Sequence, residues 1–502
     1  MNNDQQTTAD TGRTQDQIQS STQPPPSIDN KGLMGNNLSE KDNQGSTTES
    51  QIHESPLNTP EPPPNGGYGW VCTACIAIIN GHTWGLNSSY GVFLAHYLDQ
   101  NTFPGATTLQ YAFVGSLSIS CAMMVSPLAT IGVRELGTKP TMFIGIFLET
   151  ASLICASFAS QIWHLFLTQG VLFGFGMGFL FTPSVGIVPQ WFTTRRSLAN
   201  GISACGSGLG GVIYSFAAGA MIQNLGLGWA FRILGIIAFV VNTVCTLLLR
   251  DRNKIIGSSQ LAFDTSLLKR AEYVLLVIFG WFSILGYIVL IFSLANYARE
   301  IGLRPSQAAL VSAFFNLGQG LGRPLIGHFS DRTGRINMAV CTTFMAAVFS
   351  LAIWINAKSY GVLIFFALIA GTVGGTFWTV IAPVTAEVVG LKNVPSALNI
   401  MWIMIVLPSI FSEPIALQIV AGTGSYLGTQ IWTGVMFIAA AAVLTMVRGW
   451  KIAELDEIAK ARHEAPEHID PYKIENSEEV SMRSKQVGRK RMFLDCWKKA
   501  KV

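Results

Sequence analysis

Arg323 stands inside a long apolar run, four residues after Gln319 and immediately before Pro324. A guanidinium at that depth is costly unless partnered, so an ionisable residue there is read first as a site. Its planar fork suits a carboxylate, which it can hold through two parallel hydrogen bonds. A separation of four puts Gln319 on the same helix face. The alternative is a structural arginine, held by backbone carbonyls or a neighbouring acid. Among the other titratable groups inside apolar runs, His82, Glu149 and Glu413 are the candidates. Buried carboxyls and imidazoles can exchange protons near neutrality, which makes each a candidate for proton coupling. Each has a structural alternative too. Glu149 can pair with a neighbouring helix, Glu413 precedes Pro414 where a helix could break, and His82 fits a hydrogen-bonded core residue.

Other chemistry is excluded. Cys72 and Cys75 have the spacing of half a metal site, but no second pair accompanies them and both lie in the first apolar run. They read as small buried hydrophobes, and no metal is expected. Gly174, Gly176 and Gly178 imitate a dinucleotide fingerprint without the strand that must precede one. No nucleophile, metal cluster or phosphate loop is found, so neither an enzyme nor a cofactor is expected.

The elements that must position these residues are spanning helices. Twelve apolar runs lie between Val71 and Val447, and each approaches the roughly 20 residues a helix needs to cross a bilayer. A helix satisfies every backbone group internally, as hydrocarbon requires. Hydrophobic residues make up 49% of the chain and charged residues 12%, against about 25% charged in ordinary soluble domains. The spans fall at roughly 71–94, 108–131, 141–160, 162–186, 198–222 and 229–249, then at roughly 271–295, 306–328, 337–356, 360–384, 397–420 and 427–447. The predicted fold is therefore an all-α membrane protein of twelve transmembrane helices in two six-helix bundles, residues 66–249 and 271–447, joined by a central loop, 250–270.

Basic residues orient the spans, because Lys and Arg are retained on the cytoplasmic side. Connections after even-numbered spans hold Arg134, Lys139, Arg195, Arg196, Arg332, Arg335, Lys392 and five residues of the central loop; the odd ones hold Arg299, Arg304 and Lys358. Both tails are thus expected to be cytoplasmic. Residues 1–65 are rich in Gln, Ser, Thr and Pro, too polar to offset their ordering entropy, and are expected to be disordered. In the tail 448–502, the stretch from Arg489 to Lys499 mixes basic and bulky apolar residues, which suits an anionic leaflet or an unstructured end.

The halves echo each other. Arg134-Glu-Leu-Gly137 after span two answers Asp331-Arg-Thr-Gly334 after span eight, and Arg196-Ser-Leu-Ala-Asn200 answers Pro395-Ser-Ala-Leu-Asn399. Duplicated bundles with a solute site between them are the plan of a secondary transporter.

Two motifs then resemble a known family. Asn65-Gly-Gly-Tyr-Gly-Trp70 is similar to the signature of the monocarboxylate porter branch of the major facilitator superfamily, as found in animals and fungi, with Asn replacing an acid. Trp191-Phe-Thr-Thr-Arg-Arg-Ser-Leu-Ala-Asn-Gly201 is similar to that branch's stretch before helix five. Asp331-Arg-Thr-Gly-Arg335 resembles the hinge motif of the wider superfamily. The resemblance covers about residues 65–448 and implies that Asp331, Arg332 and Arg335 gate the cavity. Gly67 permits a tight chain reversal, and Tyr68 and Trp70 suit the headgroup belt. Arg195 and Arg196 open helix five, where an acidic or phosphate partner is one reading and topology marking the other.

The resemblance also marks departures. Branch members place an Asp one turn before the arginine of helix eight; here that position is Gln319, and an amide does not titrate. They use a Lys in helix one, where this chain has Asn87 or Ser88. The expected solute is a small organic anion bearing a carboxylate, bound by Arg323, Gln319, Asn87, Ser88 and Tyr90, with Asn296 and Trp378 as secondary candidates. A riboflavin-like heterocycle and a secondary metabolite, taken up or expelled, are the alternatives; a solute sensor that moves nothing is the alternative class. Protons and bilayer lipid are the remaining expected partners, nucleic acid is not one, and the expected location is the plasma membrane or, failing that, a vacuolar or other internal membrane.

Overall fold

A computed structural model describes residues 63–258, 260–464, 495–498 and 500–502. The expected disordered tail lies almost wholly outside the described residues. Within them there are helices and no strands. Twelve long helical stretches follow the predicted spans: α1 (68–99), α2 (Leu109–Glu135), α3 (Thr138–Ala156), α4 (Ile162–Trp191), α5 (Arg196–Leu225), α6 (Leu227–Leu248), α7 (Ala271–Glu300), α8 (Pro305–Thr333), α9 (Arg335–Trp354), α10 (Tyr360–Val389), α11 (Leu391–Thr423) and α12 (Leu427–Glu464).

Ten of these are long and apolar enough to cross a membrane by length and composition. The two left over are α1 and α8. These carry Asn80, His82, Asn87 and Ser88, and Asn316, Gln319 and Arg323, and such polar residues lower their hydropathy. Local signals set the ends. Thr107 and Gln110 form a reciprocal cap before α2, and Pro305 opens α8 where its missing N–H costs nothing. The chain turns into α1 at Gly67 with φ 58°.

Irregular turns cluster in the spans. A π-helical turn at Gly81–Gly85 shifts the face of α1 just before Asn87, and others occupy Phe166–Leu172 and Ser350–Trp354. The expected break at Pro414 is not where α11 is interrupted. Pro414 is accommodated inside Val406–Thr423, and the interruption falls at Ile405; a proline removes one donor, which a packed spanning helix tolerates. Helix α12 outruns its span, and Lys451–Glu454 and Lys460–Glu457 pairs at 2.6 and 3.0 Å brace the polar extension. Part of the basic tail docks on protein: Arg448 Nη2 donates to the Lys498 carbonyl at 2.7 Å, and Lys498 reaches Asp456 at 3.0 Å.

Helix α5 is central to the packing. It meets α8 of the other half through Gly201, Gly208 and Gly320, whose lack of side chains lets the backbones touch. The repeated asparagines cross between halves. Asn200 Nδ2 donates to the Thr379 carbonyl at 2.6 Å, and Asn399 Nδ2 to Thr130 Oγ1 at 2.7 Å.

Candidate functional site

A cavity opens between the halves, lined among others by Asn80, Trp84, Asn87, Ser88, Arg323 and Trp378. Spacings of four, three and one place the four α1 residues on one helix face.

Arg323 is buried at the cavity wall, and every hydrogen bond it makes is to a neutral group. Nη1 donates to the Ala204 carbonyl at 2.7 Å and to Ser207 Oγ, while Nη2 donates to Gln319 Oε1 at 2.5 Å and to the Tyr287 hydroxyl at 3.3 Å. Nε has no partner. Gln319 also accepts from the Tyr287 hydroxyl at 2.7 Å, and its amide donates to Asn316 Oδ1 at 3.1 Å. No carboxylate lies within ion-pair distance of Arg323 among the described residues. Dipoles therefore solvate its charge without cancelling it. Its charge remains available to an anion, although four of its five N–H groups are engaged, so a carboxylate would have to displace neutral partners to take a two-bond grip.

The other candidates are placed less uniformly. Asn87 lines the cavity and its Oδ1 accepts from Ser118 Oγ at 2.7 Å. Tyr90 lines a neighbouring pocket, its hydroxyl donating to the Tyr111 carbonyl at 3.0 Å, away from Arg323. Asn296 is exposed near the end of α7, about one turn past the cavity-lining Phe292, and is not among the residues that line the cavity. Glu149 takes a hydrogen bond from Asn242 at 2.9 Å inside the first bundle, and the Ser293 hydroxyl is shared between the two carboxyl oxygens of Glu413, at 2.9 and 3.0 Å, inside the second. Neither lines the cavity. His82 is bonded to the Ile78 carbonyl at 2.9 Å and meets Tyr214 edge-on. Cys72 and Cys75 are buried, and no group of three metal-ligating side chains occurs among the described residues.

At one end of the molecule charges join the halves. Asp331 accepts from the backbone N–H groups of Ser197 and Leu198 at 3.0 and 2.9 Å, capping the start of α5, where a negative charge is favoured. Arg335 donates to Ser197 Oγ at 3.1 Å, to the Thr193 carbonyl at 2.6 Å and to Glu387 at 2.5 Å. Arg332 is exposed and makes none of these bonds among the described residues. Arg196 is buried and bonded to the Phe192 carbonyl at 2.9 Å; Arg195 is exposed.

The two signature motifs form one clasp. Asn65 Oδ1 accepts from the backbone N–H groups of Thr193 and Thr194 at 2.6 and 3.0 Å, and its own N–H reaches the Trp191 carbonyl. Trp70 packs on Phe192 at 4.8 Å and Tyr68 on Trp191 at 6.2 Å, so these rings hold protein rather than only the headgroup belt. An amide oxygen here does the accepting that an acid would do.

Sequence reasoning missed Ser207, Tyr287 and Glu387. Ser207 hides in a glycine-rich run as a packing residue; the only signal for Tyr287 was a polar tip in an otherwise apolar span.

Comparison with known proteins agrees with the architecture. The sequence model of the family described as Major Facilitator Superfamily matches residues 73–292 and 275–494. A protein of Saccharomyces cerevisiae named Probable transporter MCH2 is 33% identical over 404 residues, covering 79% of this chain and 85% of its own. Monocarboxylate transporter 12 of Homo sapiens is 26% identical over 440 residues, covering 79% and 84%. The fold is shared with the solved structure of FucP in its outward conformation, at a TM-score of 0.58 and 15% identity, over 76% of this chain and 98% of that one.

Proposed function

The chain belongs to the major facilitator superfamily and is a multi-pass transporter of a small solute, and from that premise we propose that the solute is an organic anion whose carboxylate is held by Arg323. The observation that carries this reading is a buried guanidinium with four neutral partners and no acid. A solute carboxylate would supply the missing charge, and rocking of the two bundles would expose it to each side in turn. The relative named a monocarboxylate transporter supports the same class.

Gln319 separates this site from a proton-coupled one. An amide cannot take up and release the proton, so the Gln319–Arg323 pair binds without coupling. Any coupling must run through Glu149, Glu413 or His82, none of which lines the cavity. The proposal places the chain in the plasma membrane with both tails cytoplasmic, which tagging in intact and permeabilised cells tests.

The decisive experiment is counterflow of labelled carboxylates into proteoliposomes, with and without a pH gradient. Arg323→Leu is expected to abolish exchange, while Gln319→Asp is expected to introduce a pH dependence that the wild type lacks. Unchanged exchange in folded Arg323→Leu protein would end the proposal.

A further inference from the structure

The cavity wall carries a set of rings as well as a cation. Trp84, Phe181, Tyr287 and Trp378 all line it, and they come from α1, α4, α7 and α10, two helices from each bundle. Their ring centres are linked: Trp84 lies 5.0 Å from Trp378 and 5.3 Å edge-on from Phe181, and Tyr287 lies 6.4 Å from Trp378. Trp402, fully buried, stacks behind Trp378 at 5.9 Å and 20°, while Phe377 meets its edge at 5.2 Å. Trp378 is thus held in a fixed plane, yet it and Trp84 keep part of their surfaces toward the cavity. Rings that serve packing alone have no reason to be left part-open there in a plane set from behind.

Tyr287 joins the two features. Its hydroxyl is bonded to Arg323 and Gln319, and its ring belongs to the aromatic set. A solute whose carboxylate meets Arg323 therefore has aromatic faces beside it within the length of one tyrosine. We infer that the transported anion carries a planar aromatic ring close to its carboxylate, with the ring seated against Trp84 and Trp378. The inference rests on the proposed anion site and narrows it: a ring bridging helices of both bundles would be gripped most tightly when they close on it. Ring pairs of this kind favour offset or edge-on contact, which a saturated ring of equal size cannot reproduce.

Equilibrium binding to the purified full chain tests it with three probes. Labelled phenylacetate is compared with cyclohexylacetate, of equal charge and similar volume, and with phenylacetamide, which keeps the ring and loses the charge. Phenylacetate is expected to bind roughly three- to tenfold tighter than cyclohexylacetate. Trp378→Leu is expected to shrink that ratio below about twofold, and Trp378→Phe to preserve most of it, the second variant guarding against loss of fold. Equal binding of the two carboxylates by the wild type would overturn the aromatic inference and leave the anion site standing. Phenylacetamide binding as tightly as phenylacetate, with no loss in Arg323→Leu, would overturn the anion site while the ring preference stood. No binding of either carboxylate would overturn both.

Discussion

The segments that follow α2 and α8 share a backbone and differ in what their charges reach. Gly137 and Gly334 open α3 and α9 with φ of 97° and 104°, a conformation that glycine adopts without a Cβ clash. At the end of α8, Asp331 reaches the start of α5, and Arg335 just beyond it reaches the segment before α5 and pairs with Glu387. At the end of α2, Arg134 pairs with Glu135 alone among the described residues, side chains 47% and 60% exposed, and Lys139 donates to the Leu247 carbonyl inside its own bundle. Duplication preserves a turn because its geometry is local. Charges keep work only where the opposite half presents something to bind, and here that is the uncapped start of α5.

The largest effect expected from breaking this difference comes from Asp331→Asn. It removes the charge that caps α5 and leaves Arg335 short of one acidic partner, weakening the state closed at this end, so initial uptake should fall by more than about tenfold. Glu387→Gln keeps a hydrogen-bond acceptor for Arg335 and should cost less, about two- to fivefold in the same assay. Gly137→Ala tests the shared backbone: melting of purified protein should show a loss of about 1–3 kcal/mol, with specific activity of the folded fraction retained. The smallest effect is expected from Arg134→Ala and Glu135→Ala, an exposed pair worth about 0–1 kcal/mol, whose uptake should stay within about twofold of wild type. A loss in these variants as large as in Asp331→Asn would erase the contrast between the loops.

Much of the architecture was legible because hydrocarbon tolerates few backbone solutions. Run lengths located the helices, and the glycine of each repeated loop marked where one ended and the next began. Arg323 was legible for the same reason: a cation is conspicuous where nearly every neighbour is apolar. Its partners were not. Ser207 and Tyr287 lie 116 and 36 residues away, and nothing in their own surroundings distinguishes a hydroxyl that holds a guanidinium from one bonded back to its own helix. Asn296 marks the limit of that signal, because a place on a cavity-bordering helix does not say which turn meets the cavity.

Periodicity, length and charge position are properties of the chain, and they determined twelve spans, the duplicated halves and one out-of-place arginine, since solvent acts on each segment separately. Which distant groups converge was decided only when the helices packed. The joining of two motifs at Asn65, the neutral shell around Arg323 and the rings drawn from four helices all depend on crossings between segments. Those crossings are set by side-chain shape and close backbone approach, which no single segment contains.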